Sequence, residues 1–134
     1  MAEQKQKSSH ISLRKEDIRR ISVAGFKSIG QEQSIEIRPL TILAGVNSSG
    51  KSSMMQPLLL LKQTLEATYD PGALLLNGPN VRFTSVDQLL FRRNSDKTLD
   101  TFHVGIEIAT GAGITTNFKR SKSKGFDVEE TTYN

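Results

Sequence analysis

Apolar and polar positions alternate near the start and near the end of this chain, and between them they repeat at helical spacing. Ile21 and Val23 are interleaved with Ser22 and Ala24 up to Gly25-Phe26, and after Gly30 the stretch Ser34-Ile35-Glu36-Ile37 takes up the alternation again. A two-residue period sends successive side chains to opposite faces of a sheet, so two strands joined by a turn are predicted. Directly after Pro39, the run Leu40-Thr41-Ile42-Leu43-Ala44 is apolar and β-branched without alternation, which predicts a short strand buried on both faces. From residue 52 to about 67, Met54, Leu58, Leu61 and Leu65 recur at helical spacing, and residues 58–61 are apolar almost all round. That predicts a central helix covered on more than one side, bent at Pro57, which lies beyond the first turn, where a missing N–H would do no harm.

Beyond Asp70-Pro71-Gly72, residues 73–76 are apolar, Asn77-Gly78-Pro79-Asn80 reads as a turn, and 81–83 as a short strand. Ser85-Val86-Asp87-Gln88 has the spacing of a capping box opening a short helix through Leu90, with Gln88 as the reciprocal cap. Phe102, Val104, Ile106 and Ile108 then share one face, with His103, Gly105 and Glu107 on the other. The turn Thr110-Gly111-Ala112-Gly113 and the stretches 114–118 and 126–133 extend this strand into an antiparallel meander.

One motif carries chemistry. Gly45-Val46-Asn47-Ser48-Ser49-Gly50-Lys51-Ser52 fits G-x-x-x-x-G-K-[ST] at every fixed position, between the predicted strand at 40–44 and the predicted helix. Glycines at 45 and 50 let the backbone turn sharply and bring its N–H groups to phosphate distance, and the helix start adds the positive end of its dipole. Lys51 is then the point charge for the β- and γ-phosphates, the Ser52 hydroxyl the ligand for a Mg2+ ion bridging them, and Ser53 an additional α-phosphate contact. The nucleotide-binding residues expected are therefore Gly45, Val46, Asn47, Ser48, Ser49, Gly50, Lys51, Ser52 and Ser53, with ATP and Mg2+ as the bound species.

Asn47 and Ser49 inside this loop, Gly25-Phe26-Lys27-Ser28 after a strand-like run, and Pro39-Leu40-Thr41 before it resemble the N-terminal lobe of RecF-like and SMC-like (structural maintenance of chromosomes) ATPases, which have ATP-binding-cassette heads. Within that group, residues 40–65, Leu74-Leu75-Leu76-Asn77-Gly78 and Leu90-Phe91-Arg92 look most like bacterial ATPases of the overcoming-lysogenization-defect and Septu-type anti-phage systems. The resemblance spans about residues 18 to 110. It implies an α/β fold, a P-loop NTPase built as the N-terminal lobe of an ABC-type ATPase head, with a mixed sheet and an antiparallel β-meander over 18–134 and a flexible polar tail over 1–17. It also implies that Lys27 lies near the nucleotide base. Gln88 is the alternative candidate for the glutamine that touches magnesium and water in such enzymes.

Composition narrows the rest. The 134 residues are 36% hydrophobic and 24% charged, which fits one globular domain, and no apolar stretch approaches the roughly 20 residues that span a bilayer. The absence of cysteine rules out disulfides and thiolate metal sites, the polar opening lacks a signal-peptide core, and a cytoplasmic location without membrane partners is expected. His10 and His103 have no ligand-spaced companions and read as solvated. The formal charge of +4 comes from Arg19-Arg20, Arg92-Arg93 and the run Lys119-Arg120-Ser121-Lys122-Ser123-Lys124, read as solvated turns, with a DNA-facing surface as the reading the resemblance adds.

Hydrolysis needs an acidic residue closing an apolar strand and a glutamate to orient water, and no apolar run followed by Asp-Glu occurs here; nor does a Leu-Ser-Gly-Gly-like signature. The expectation is an ATP-binding lobe completed by the remainder of the ATPase head or by a second protomer, with a nuclease subunit and DNA as further partners. A non-hydrolysing nucleotide-binding assembly module is the competing reading. A small kinase or GTPase is a weaker rival, since no Asn-Lys-x-Asp guanine motif is present.

Overall fold

Val23 sits at the middle of the structure, fully buried on strand β1 (Ile18–Ala24), with Ile21 buried two residues before it. The alternation that predicts this strand continues into its partners, because the same period of two sets which face of each neighbour turns inward. In this computed structural model, which describes residues 14–46, 50–94 and 97–134, β1 pairs with β2 (Gln33–Glu36) on one side. On the other side it pairs with the long strand Thr101–Ile108, placing Val23 opposite Val104 and Ile21 opposite Ile106. Two short strands, β3 (Arg92–Asn94) and β4 (Lys97–Thr98), form a separate ribbon, so the long strand is β5, followed by β6 (Gly113–Arg120) and β7 (Phe126–Tyr133). The main sheet runs β2-β1-β5-β6-β7 and is antiparallel at every pairing.

Phenylalanines fill the sheet's inner face. The Phe102 ring lies 5.1 Å from Phe118, stacked, 5.1 Å from Phe126 and 5.3 Å from Phe26, both edge-on. Offset and edge-on aromatic pairs each contribute about 1 kcal/mol beyond their area burial. Helix α1 (Lys51–Leu65) lies against this core, and its buried residues are Ser53, Met54, Pro57, Leu60 and Gln63, one turn to the next. The all-round apolar stretch is resolved into a buried Leu60 with Leu58, Leu59 and Leu61 half-buried, while Leu65, counted in the predicted stripe, is exposed. Pro57 lies on the buried side, so the amide that cannot donate to Ser53 faces the core.

Gln63 is the polar exception in that core, with only 1% of its surface exposed. Its Nε2 donates to the carbonyls of Leu75 (2.5 Å) and Val81 (3.1 Å), and its Oε1 accepts from the N–H groups of Asn80 (3.1 Å) and Val81 (3.0 Å). The predicted turn at 77–80 is thereby fastened to the helix. Residues 81–83 form only an isolated bridge between Asn77 and Arg82 rather than a strand.

Several expectations are corrected. Residues 40–44 form no strand: Leu40 is 79% exposed and Ile42 77% exposed, and Thr41 closes a local turn by accepting from the Arg38 N–H (2.9 Å) and donating to its carbonyl (3.0 Å). A strand buried on both faces needs partners on each edge, and among the described residues none pairs with this one. The main sheet is accordingly antiparallel rather than mixed, and the architecture shown is mixed α/β: that five-stranded sheet, one long helix and the separate β3–β4 ribbon. Ser85 makes no side-chain cap on the 3-10 turn Val86–Gln88; Gln88 Oε1 instead accepts from the Thr84 N–H (2.8 Å). His103 has a partner after all, with Nε2 2.7 Å from Glu32 Oε2, while His10 lies outside the described residues. Residues 14–17 form a turn whose Asp17 carbonyl accepts from the Ala109 N–H at the sheet end (2.9 Å). Among the described residues no helix is long and apolar enough to cross a membrane.

Candidate functional site

Gly50 starts helix α1 in the left-handed region, at φ 87°, where a side chain would be strained and a Cβ would meet the Ser28 hydroxyl at 3.2 Å. Among the described residues the first turn that follows has neither a side-chain cap nor an acidic residue, so the N–H groups of Lys51, Ser52 and Ser53 stand as donors with the positive end of the dipole behind them. Such a helix start attracts an anion. Lys51 adds a full charge: its Nζ donates to the Gly45 carbonyl and to the Val46 carbonyl at 3.2 Å, which folds the ammonium over the segment entering the motif. Asn47, Ser48 and Ser49 lie outside the described residues.

This helix start opens into a cleft of about 720 Å3, within the size range of small-ligand sites. Gly50, Lys51, Ser52 and Ser53 line one side, and Lys27, Ser28, Gln56, Asp87, Gln88 and Arg92 complete much of the rest. Ser52 is exposed, whereas Ser53 is buried with its hydroxyl 3.2 Å from that of Ser28.

The facing wall is built by a tight turn. Phe26 and Ile29 exchange both backbone hydrogen bonds (3.0 and 2.8 Å), which puts Lys27 at φ 49°, a conformation few non-glycine residues adopt. Lys27 N–H donates to the Leu89 carbonyl (2.6 Å) and Phe91 N–H to the Gly25 carbonyl (2.9 Å), so residues 89–91 are clamped to the turn and deliver Asp87, Gln88 and Arg92 to the cleft. Lys27 Nζ donates to Gln56 Oε1 (3.0 Å) and stands 5.5 Å from the centre of the Phe83 ring. The Gln88 carboxamide is at the cleft but engaged with Thr84.

Asp87 and Arg92 were not legible as cleft residues in the sequence, because nothing local signals that residues 89–91 lie against 25–27. The Asp87 carboxylate is held below its ordinary pKa by a hydrogen bond from Arg120 (2.5 Å) and by the charge of that guanidinium. Elsewhere in the basic run, Lys119 pairs with Glu129 (3.6 Å), so the patch is partly neutralised.

The donor set suits a polyphosphate: bare amides, one ammonium and a hydroxyl at a helix start. It also suits a magnesium ion that takes most of its ligands from phosphate and water, with Ser52 as the protein's contribution. Among the described residues no group of three His, Cys, Asp or Glu side chains is placed to cage a metal. No protein-family model matches the chain, and no curated protein matches it either.

Proposed function

We propose that this chain is the ATP-binding lobe of a RecF/SMC-like ABC-type ATPase head, with a P-loop at residues 45–52. The observation that carries this reading is the convergence of the motif's Gly50, Lys51 and Ser52 on one cleft at an uncapped helix start. Backbone N–H groups of the first turn would hold the phosphate oxygens and Lys51 would exchange its carbonyl partners for them. Ser52 would place the magnesium, which supplies charge neutralisation across the β- and γ-phosphates. Lys27, on the facing wall, would orient the rest of the nucleotide.

In the complete protein, ATP binding and hydrolysis would drive two heads together and gate a nuclease or a DNA-related activity, in anti-phage defence or DNA repair, by binding the closed pair more tightly than the open one. The exposed apolar residues at 40–46 support the idea that the rest of the head docks here, as a strand laid along this segment would cover Leu40, Ile42 and Val46. Calorimetric titration of the purified chain with Mg-ATP tests the central claim. Saturable binding that is lost without the triphosphate is expected, and no binding at millimolar nucleotide refutes it.

A second reading, a module that binds ATP without cleaving it, is favoured by Asp87. Among the described residues it is the carboxylate lining the cleft, and its ion pair with Arg120 removes it from service as a base. Phosphate release by the complete protein separates the two readings.

A further inference from the structure

A carboxylate beside a triphosphate site is electrostatically misplaced, yet Asp87 lines the cleft together with the cations Lys27, Lys51 and Arg92. Its partner comes from outside that lining. Arg120 projects from the end of β6, and its Nη2 donates to Asp87 Oδ1 at 2.5 Å. Two contacts to Asp100 hold Arg120 in place: its backbone N–H donates to the Asp100 carbonyl (2.8 Å), and its Nε stands 3.4 Å from Asp100 Oδ1. The ion pair therefore joins the β-meander to the wall of the cleft.

Resting on the nucleotide reading above, we infer that Arg120 is a positioning residue for the bound anion: it neutralises Asp87 from behind and leaves the cleft to the field of Lys27, Lys51 and Arg92. The cube root of the cleft volume is about 9 Å, inside the ~10 Å over which charges act at ordinary ionic strength. Without Arg120, a bare carboxylate would face Mg-ATP, which carries about two net negative charges, and their screened repulsion across the cleft corresponds to roughly a few-fold in affinity. The penalty grows with ligand charge, which a purely structural role for Arg120 does not predict.

The test titrates the full chain and its Arg120→Gln, Asp87→Asn and double variants with Mg-ATP, Mg-ADP and inorganic tripolyphosphate, at low and at high salt. Arg120→Gln should weaken Mg-ATP and tripolyphosphate binding by roughly a few-fold at low salt and ADP binding less, with a smaller loss at high salt, and the double variant should bind as the parent does. Unchanged affinity in Arg120→Gln, or a loss that the double variant does not recover, overturns the inference. Should Arg120→Gln fail to fold, Asp87→Asn and the double variant decide together: triphosphate binding several-fold tighter in Asp87→Asn and back at the parental affinity in the double variant supports the masking role, and any other combination overturns it. A parent chain that, with this same variant pattern, binds tripolyphosphate but not ATP supports the masking of Asp87 while refuting the nucleotide reading, and one that binds neither refutes both.

Discussion

The carboxamide of Gln63 lies against the bare α-carbon of Gly78, so close that a Cβ at residue 78 would stand 2.6 Å from Gln63 Cδ. The two positions are one device. Glycine leaves room for the side chain to reach four backbone groups of residues 75–81, and with Thr64, whose hydroxyl accepts from the Leu75 N–H (2.8 Å), it ties the helix to the loop beside it. Replacing Gln63 with leucine keeps the bulk and leaves those groups without partners, which should cost about 3 kcal/mol, measured by urea unfolding. Gly78→Ala should cost about 1–3 kcal/mol by the same measurement, through overpacking. A loss below about 0.5 kcal/mol in both would show that the link does not matter.

Lys51→Ala should leave unfolding within about 0.5 kcal/mol of the parent, because the side chain is at the surface and contributes no core contact. Affinity for Mg-ATP should drop by about 2 kcal/mol, or roughly thirtyfold, since a charged partner of the phosphates is removed. Calorimetry on the folded variant reads both quantities. Equal affinity in parent and variant would place the nucleotide elsewhere.

Phe102 touches three other rings, and Phe102→Ala opens a cavity where β5, β6 and β7 meet Phe26 of the turn that follows β1. A loss of about 3–5 kcal/mol is expected. Phe102→Leu should recover more than half of it. A small effect in thermal unfolding would mean that the rings are not the centre of the core.

Acid should uncover the Asp87–Arg120 pair. Because the folded state holds Asp87 below its unfolded pKa, the pair stabilises the fold above that unfolded value and stops doing so as pH falls through the folded one. Stability contributed by this pair should thus be level near neutrality and decline below about pH 4. Asp87→Asn should flatten that part of the acid limb when unfolding is followed as a function of pH, and an unchanged limb would remove Asp87 as its source.

The strands at 18–24 and 101–108 are legible because their alternating apolar residues Ile21, Val23, Phe102 and Val104 take the buried positions, whereas in β6 Phe118 alone is buried, and that strand is legible mainly from the turn before it. The helix is legible from the helical spacing of Met54, Leu58, Leu61 and Leu65, but that stripe does not mark the core face: of the four only Met54 is buried, and Leu65 is exposed. Residues 40–44 mislead because an apolar β-branched run reports a preference for strand, whereas a strand also needs a neighbour with free N–H and C=O groups, and that neighbour is not written into the run itself. Gln63 is invisible because glutamine on a helix is ordinarily a surface residue, and its partners are peptide groups that any sequence has. For the candidate site, the motif names Gly50, Lys51 and Ser52, while the facing wall depends on hydrogen bonds between residues some sixty positions apart in the chain, such as Lys27 to Leu89.

The Lys51 ammonium already holds two peptide oxygens, those of Gly45 and Val46. If Lys51 binds the phosphates as proposed, arrival of the ligand would be a swap of one set of oxygens for another rather than the filling of a bare charge. A swap proceeds only when the newcomer is the better acceptor, and neutral or singly charged metabolites bring little that a carbonyl does not offer. On the proposed nucleotide reading, discrimination by valence would thus begin in the resting posture of one side chain, ahead of any recognition of base or sugar.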